Sequence, residues 1–254
     1  MSLQSRARQA LGLMDLTSLN ENDSDESVSQ LGVSAHTSQG SPAALCVYPQ
    51  FIQAARQGLK SVGLSLPIAT VTNFPDGEAL PELAAAETAG AVTLGADEID
   101  VVLPYKALKN GDEFVCRQLV TKCKAAAGGK LLKVIIESGE LKTPELIRQA
   151  SDIAIECGAD FIKTSTGKVS VNATLEAARI MLEAIKASGK PVGFKAAGGV
   201  RTAEDAAAYL DLADEIMGEG WVSAKTFRFG ASGLLGALLQ TLGENTANNQ
   251  TAGY

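Results

Sequence analysis

Two lysines occupy positions where charge is expensive. Lys163 closes the apolar run Ala159-Asp160-Phe161-Ile162-Lys163 and leads into Thr164-Ser165-Thr166-Gly167. Lys195 sits in a second such run, Val192-Gly193-Phe194-Lys195, followed by Ala196-Ala197-Gly198-Gly199. Burial penalises an ammonium and favours the neutral, nucleophilic amine. A second cation about 4–8 Å away costs the first roughly 2–4 kcal/mol at an effective dielectric near 20, which adds to that push. The pair therefore suggests an amine nucleophile that forms a Schiff base, with Lys163 as the nucleophile and Lys195 as the cation that lowers its proton affinity. The competing account is that each lysine only extends its ammonium to the rim of a sheet.

Other charged residues lie in comparable runs. Asp15 occurs in Met14-Asp15-Leu16-Thr17, Asp100 in Glu98-Ile99-Asp100-Val101-Val102, and Lys133 and Glu137 in Leu132-Lys133-Val134-Ile135-Ile136-Glu137. Cys46 falls in a further run. Charges embedded this way point inward and pair with one another. They form either an internal salt-bridge network or a general acid/base group, Asp100, beside the amine. Asp100 opposes the effect of the second cation, so the balance at Lys163 is open at this level.

Two glycine-rich stretches, Ala197-Gly198-Gly199-Val200-Arg201-Thr202 and Phe229-Gly230-Ala231-Ser232-Gly233-Leu234, each precede a helical pattern. Backbone N–H groups at such places bind phosphate, although glycines also simply make tight turns. Thr166-Gly167-Lys168 offers a third edge.

The elements that must position these residues follow a regular rhythm. Short apolar strands are expected at residues 12–16, 44–48, 68–72, 98–103, 131–137, 161–164, 192–196 and 226–229. Amphipathic helices are expected at 79–94, 112–127, 144–156, 175–187 and 203–217, with apolar residues three and four apart. Thr143-Pro144-Glu145 and Thr202-Ala203-Glu204-Asp205 mark helix starts. Gly95-Ala96-Asp97 and Gly158-Ala159-Asp160 repeat one device, a helix-ending glycine that turns into a strand. Eight such units in 254 residues predict a single-domain TIM (β/α)8 barrel over residues 1–242, with a flexible tail at 243–254. The alternative, an open doubly wound sheet for a dinucleotide, would carry GxGxxG after its first strand, and none is there. In a barrel the loops after strands seven and eight are the usual phosphate site, and all strand ends meet at one mouth.

Composition narrows the classes. The chain is 46% hydrophobic with a formal charge of −7, which argues against nucleic acid or an anionic membrane as partner. The four cysteines form no CxxC pair, and Cys116 and Cys123 share one helix face. With no secretory pattern or membrane-length run, the chain is expected to be cytoplasmic with reduced thiols. The lone histidine, His36, lies in a polar loop and is expected to be exposed. One histidine builds neither a His-rich zinc site nor, from that loop, a Ser-His-Asp triad.

Taken in order, several segments resemble the class I 2-deoxy-D-ribose-5-phosphate aldolases. They are Leu13-Met14-Asp15-Leu16-Thr17, Ala69-Thr70-Val71-Thr72-Asn73-Phe74-Pro75, Ala96-Asp97-Glu98-Ile99-Asp100-Val101-Val102, Leu131-Leu132-Lys133-Val134-Ile135-Ile136-Glu137, Asp160-Phe161-Ile162-Lys163-Thr164-Ser165-Thr166-Gly167 and Gly193-Phe194-Lys195-Ala196-Ala197-Gly198-Gly199-Val200-Arg201. The resemblance implies reversible cleavage of 2-deoxyribose 5-phosphate to acetaldehyde and glyceraldehyde 3-phosphate, in carbohydrate and deoxynucleoside catabolism, with no metal or other cofactor. It implies Lys163 as the Schiff-base lysine, Lys195 as its tuning cation and Asp100 as the group that moves protons. Phosphate would be held by Gly167, Lys168, Gly198, Gly199, Val200, Arg201, Gly230 and Ser232, with the backbone N–H of Gly233. Asp15, Cys46, Thr70, Lys133 and Thr166 join the expected substrate-binding set. So does Tyr254, because related chains often end in tyrosine; a tail folded over the mouth could assist proton transfer, and otherwise it is an idle end. Partners would be a small phosphorylated sugar and small aldehydes; a homodimer is allowed. Two departures stand out: Ala196 where many relatives have proline, and Gly233 where they often have a second serine. Other readings are a transaldolase-like carbon transferase, a phosphosugar isomerase without a covalent adduct, and a non-catalytic sugar-phosphate sensor.

Overall fold

A computed structural model describes residues 1–244. Eight parallel strands close into a barrel in chain order: β1 Met14–Thr17, β2 Ala44–Val47, β3 Ile68–Thr72, β4 Glu98–Val102, β5 Leu131–Ile135, β6 Phe161–Lys163, β7 Gly193–Ala197 and β8 Phe227–Ala231. Each strand pairs with the next, and β8 pairs with β1 through Met14 opposite Phe229 and Asp15 opposite Gly230. No sheet edge is left over, which is how a parallel sheet built from βα units completes its hydrogen bonding.

The outer layer, in chain order, is α1 Leu3–Leu11, α2 Asp25–Ser34, α3 Ile52–Ser61, α4 Pro81–Thr93, α5 Tyr105–Lys109, α6 Glu113–Ala126, α7 Ser138–Leu141, α8 Pro144–Glu156, α9 Leu175–Ser188, α10 Ala203–Met217 and α11 Leu234–Thr241. The expected helices are α4, α6, α8, α9 and α10. α11 is the helical pattern expected after Gly233; α1, α2 and α3 are helices of nine or ten residues beyond those expected, and α5 and α7 are single-turn segments. Local chemistry starts these helices where the sequence indicates. Thr143 accepts from the Leu146 amide with Pro144 in the first turn of α8, and Thr202 and Asp205 form a reciprocal capping box on α10. Cys116 and Cys123 are both buried on the inner face of α6, all four cysteines are free, and His36 is exposed. Among the described residues no helix is long and apolar enough to cross a membrane.

The repeated Gly-Ala-Asp device has a clear purpose. Asp97 accepts from the Ile68 amide and Asp160 from the Leu132 amide, at 3.1 and 2.8 Å. Each aspartate thus clips the start of its own strand to the start of the preceding one. At the lower end of the barrel, Gly193 leaves room for an aromatic ring. A Cβ there would lie 2.4 Å from the Phe161 ring, so Phe161 can fill the interior only because residue 193 has no side chain.

Strand boundaries shift slightly from expectation. β5 ends at Ile135 rather than 137, and β8 runs on to Ala231. The first shift matters, because it places Glu137 beyond the strand.

Candidate active site

The strand-borne charges meet inside the barrel. Asp100 and Lys133 are register partners on β4 and β5; Lys163, Lys195 and Arg228 are successive partners on β6, β7 and β8. Side chains at matched positions of a parallel sheet face the same way, so all five project inward. Asp100 is the hub. Its Oδ2 accepts from Lys163 Nζ at 2.8 Å and from Lys195 Nζ at 2.8 Å, and its Oδ1 accepts from Lys133 Nζ at 2.8 Å. Asp15 extends the network, accepting from Lys195 Nζ at 2.5 Å and from Arg228 Nη1 at 2.5 Å. Glu98 closes it toward the N-terminal end of the barrel, bound to Lys133 at 2.6 Å and to Arg228 at 3.1 Å.

Every member of the network is buried. Burial alone would raise the carboxyl groups of Asp15 and Asp100. The surrounding cations outweigh it and hold both well below the usual carboxylate range, through Lys195, Lys133 and Arg228 at Asp15 and through Lys133, Lys163 and Lys195 at Asp100. Burial would likewise lower Lys133 and Lys195, but the carboxylates around them prevail and raise both, so each stays a cation. Four cationic side chains thus face three carboxylates. Lys163 differs from the other two lysines. It bonds one carboxylate, whereas Lys195 bonds two and Lys133 lies within 3.4 Å of three. As the last residue of β6, it also reaches the C-terminal mouth.

Above Lys163 lies a cavity of about 430 Å³. Its wall includes Lys163, Thr166, Gly167, Lys168, Gly198, Gly199, Val200, Arg201, Gly230, Ser232 and Gly233, so the three glycine-rich edges converge on one space. Gly198 and Gly199 take left-handed φ of 75° and 86°, a backbone shape that turns successive amides toward one side. The N-terminus of α11 opens here at Gly233 with no side-chain cap, leaving its amides for a ligand. Gly230 has a second role: a Cβ there would lie 2.9 Å from Lys195 Cε, so the glycine makes space for the lysine stem.

Other expected site residues lie elsewhere. Asp15, Asp100, Lys133 and Lys195 are buried beneath the cavity floor rather than lining it. Cys46 is buried beside Leu19, Ala69 and Val71, and burial pushes its thiol up despite nearby Lys195. Thr70 is committed to the sheet, its hydroxyl donating to the Val47 carbonyl at 2.7 Å, and the structure does not bring it to the cavity. Glu137 does not join the ion pairs as expected. Standing past the end of β5, its carboxylate accepts from the backbone amide of Thr166, and burial raises it. Tyr254 lies outside the described residues.

Sequence reasoning overlooked Glu98, Arg228 and several cavity-lining residues: Thr17 at the end of β1, Leu19 and Asn20 after it, and Asn172 after β6. The first two had a usable signal. Each stands two residues before an assigned one, Asp100 and Gly230, and alternation in a strand puts residues two apart on one face. Among the described residues, no cluster of three or more His, Cys, Asp or Glu could hold a metal ion.

Solved structures share this fold. A protein from Toxoplasma gondii ME49, provisionally assigned as a deoxyribose-phosphate aldolase, superposes with a TM-score of 0.86 at 25% identity, covering 97% of this chain and 99% of its own. One from Coccidioides immitis, under the same provisional assignment, gives 0.81 at 26% identity, covering 92% and 86%. The tetrameric deoxyribose phosphate aldolase of Aeropyrum pernix, at 22% identity, a TM-score of 0.71 and coverage of 93% and 91%, shares the fold. The model of the DeoC/LacD family aldolases matches residues 10–235. With its closed barrel and a buried lysine network opening on one cavity, the chain belongs to the DeoC/LacD family of aldolases.

Proposed function

We propose that this aldolase reversibly cleaves 2-deoxy-D-ribose 5-phosphate to acetaldehyde and D-glyceraldehyde 3-phosphate through a Schiff base on Lys163. The observation that carries the reading is the position of Lys163. It is the network amine that lines the cavity, and it shares one oxygen of Asp100 with Lys195. With four cations facing three carboxylates, loss of one proton balances the network. Lys163 holds one carboxylate, the fewest of the three lysines, and faces the cavity where a carbonyl substrate would sit.

The neutral amine attacks C1 of the open-chain sugar. The carbinolamine loses water to give an iminium, which serves as the electron sink. The C3 hydroxyl loses its proton, the C2–C3 bond breaks, and its electron pair passes into an enamine on Lys163 while glyceraldehyde 3-phosphate departs. Protonation at C2 and attack by water release acetaldehyde and regenerate the amine. Asp100, hydrogen-bonded to both lysines, moves protons through water during these steps, and Lys195 stays charged to bias Lys163 toward its neutral form. The phosphate rests among Gly167, Lys168, Gly198, Gly199, Val200, Arg201, Gly230, Ser232 and Gly233. The chemistry requires no metal. In the same reading Tyr254 delivers a proton at the enamine carbon.

The test is reductive trapping. Incubation with acetaldehyde and borohydride, followed by peptide mass spectrometry, should add a two-carbon group at Lys163, and Lys163→Met should abolish both labelling and turnover. Labelling mainly at Lys133 or Lys195 refutes the assignment. Absence of any adduct, with isomerisation of phosphosugars in its place, would favour a non-covalent isomerase.

A further inference from the structure

Glu137 is a buried carboxylate with no ion-pair partner among the described residues, outside the charge network and off the cavity wall. Burying a carboxyl group without an ion pair is costly, so its retention calls for a physical reason. Its backbone is left-handed, at φ 53°, and ends the β5 ladder. Both carboxylate oxygens accept from the Thr166 amide, at 3.2 and 3.3 Å. The next two residues grip the same segment. The Ser138 amide donates to the Thr164 carbonyl at 2.8 Å, and Gly139 packs so closely that a Cβ would lie 1.9 Å from the Val171 carbonyl oxygen. The turn therefore clamps the loop after β6 at three points: residues 164, 166 and 171. Between the last two lie Gly167 and Lys168, which form one edge of the cavity. The Lys168 amide in turn donates to Thr166 Oγ1 at 3.0 Å, so the orientation of Thr166 passes on to Lys168.

We infer that Glu137 is a positioning residue for phosphate selectivity: by holding the Thr166 amide it fixes the Gly167-Lys168 edge against the substrate's phosphate, without touching the substrate. A carboxyl group suits this task because both of its oxygens can face the one amide. The inference rests on the proposed phosphosugar reading for its substrate.

The experiment compares 2-deoxyribose 5-phosphate with unphosphorylated 2-deoxyribose in Glu137→Ala and Glu137→Gln. In Glu137→Ala, kcat/KM for the phosphorylated sugar should fall at least about tenfold more than for 2-deoxyribose, mainly through KM. Glu137→Gln keeps one carbonyl acceptor and should recover most of the difference. Equal losses on both sugars, a change confined to kcat, or no change overturns the inference. If the wild-type protein turns over neither sugar, the functional proposal fails by itself. Calorimetry with inorganic phosphate then tests Glu137 directly: weaker binding in both variants, more so in Glu137→Ala, supports the role, and unchanged binding overturns it.

Discussion

Replacing Lys195 with leucine removes one cation from the network while filling much of its volume. In the native site Lys163 and Lys195 donate to the same oxygen, each at 2.8 Å. That geometry puts the two nitrogens roughly 5 Å apart, where two unit charges interact by about 3 kcal/mol at an effective dielectric near 20. At 1.36 kcal/mol per pH unit, this corresponds to about 2 units. The sign follows from the charge count. Without Lys195, three cations face three carboxylates, so a protonated Lys163 is balanced and holds its proton. The variant should reach half-maximal rate about 1–2 pH units higher than the wild type, and activity near neutrality should fall by up to about 100-fold. The assay is the pH dependence of kcat/KM with 2-deoxyribose 5-phosphate, with circular dichroism to confirm folding. Partial recovery of rate at alkaline pH separates tuning from loss of structure. A profile that falls uniformly without moving would show that Lys195 does not act on Lys163 through charge.

Arg228→Met should destabilise the barrel by about 3–5 kcal/mol in urea unfolding, because Asp15 and Glu98 lose a buried partner; a change under 1 kcal/mol would contradict the burial argument. Asp15 is held below its ordinary value in the folded state, so its contribution to stability is present above the unfolded carboxyl value of about 3.9 and is lost as pH falls further. Asp15→Asn should therefore lose less stability than the wild type between pH 7 and pH 3, and identical acid sensitivity would refute this. Dialysis against EDTA should leave activity intact; loss that zinc restores would indicate metal-dependent chemistry. Tyr254→Phe should slow turnover and proton exchange of the acetaldehyde methyl group while trapping at Lys163 persists, and unchanged exchange would leave the C-terminal tyrosine without a catalytic role.

What the sequence determined by itself was local. Lys163, Lys195, Asp100 and Lys133 are conspicuous because apolar flanks force them into a core, and a lysine in a core must find a carboxylate or lose its proton. The eight-unit rhythm was legible because period-2 and period-3.6 patterns are set by backbone geometry alone. So were the glycine-rich loops, since a left-handed turn beside a ligand admits little else. Tertiary structure decided the rest, because barrel closure fixes which distant strands become neighbours. Only the joining of β8 to β1 brings Arg228 to Asp15, and only the closed ring lets the same guanidinium reach across to Glu98. Only the register of β4 against β5 and of β6 against β7 lets one carboxylate bridge three lysines. The pairing of neighbouring strands turned Thr70 into the sheet, made Gly230 a space for a lysine stem, and placed Glu137 on a loop amide. Those outcomes depend on angles and offsets summed around a ring, which no single segment of the chain encodes.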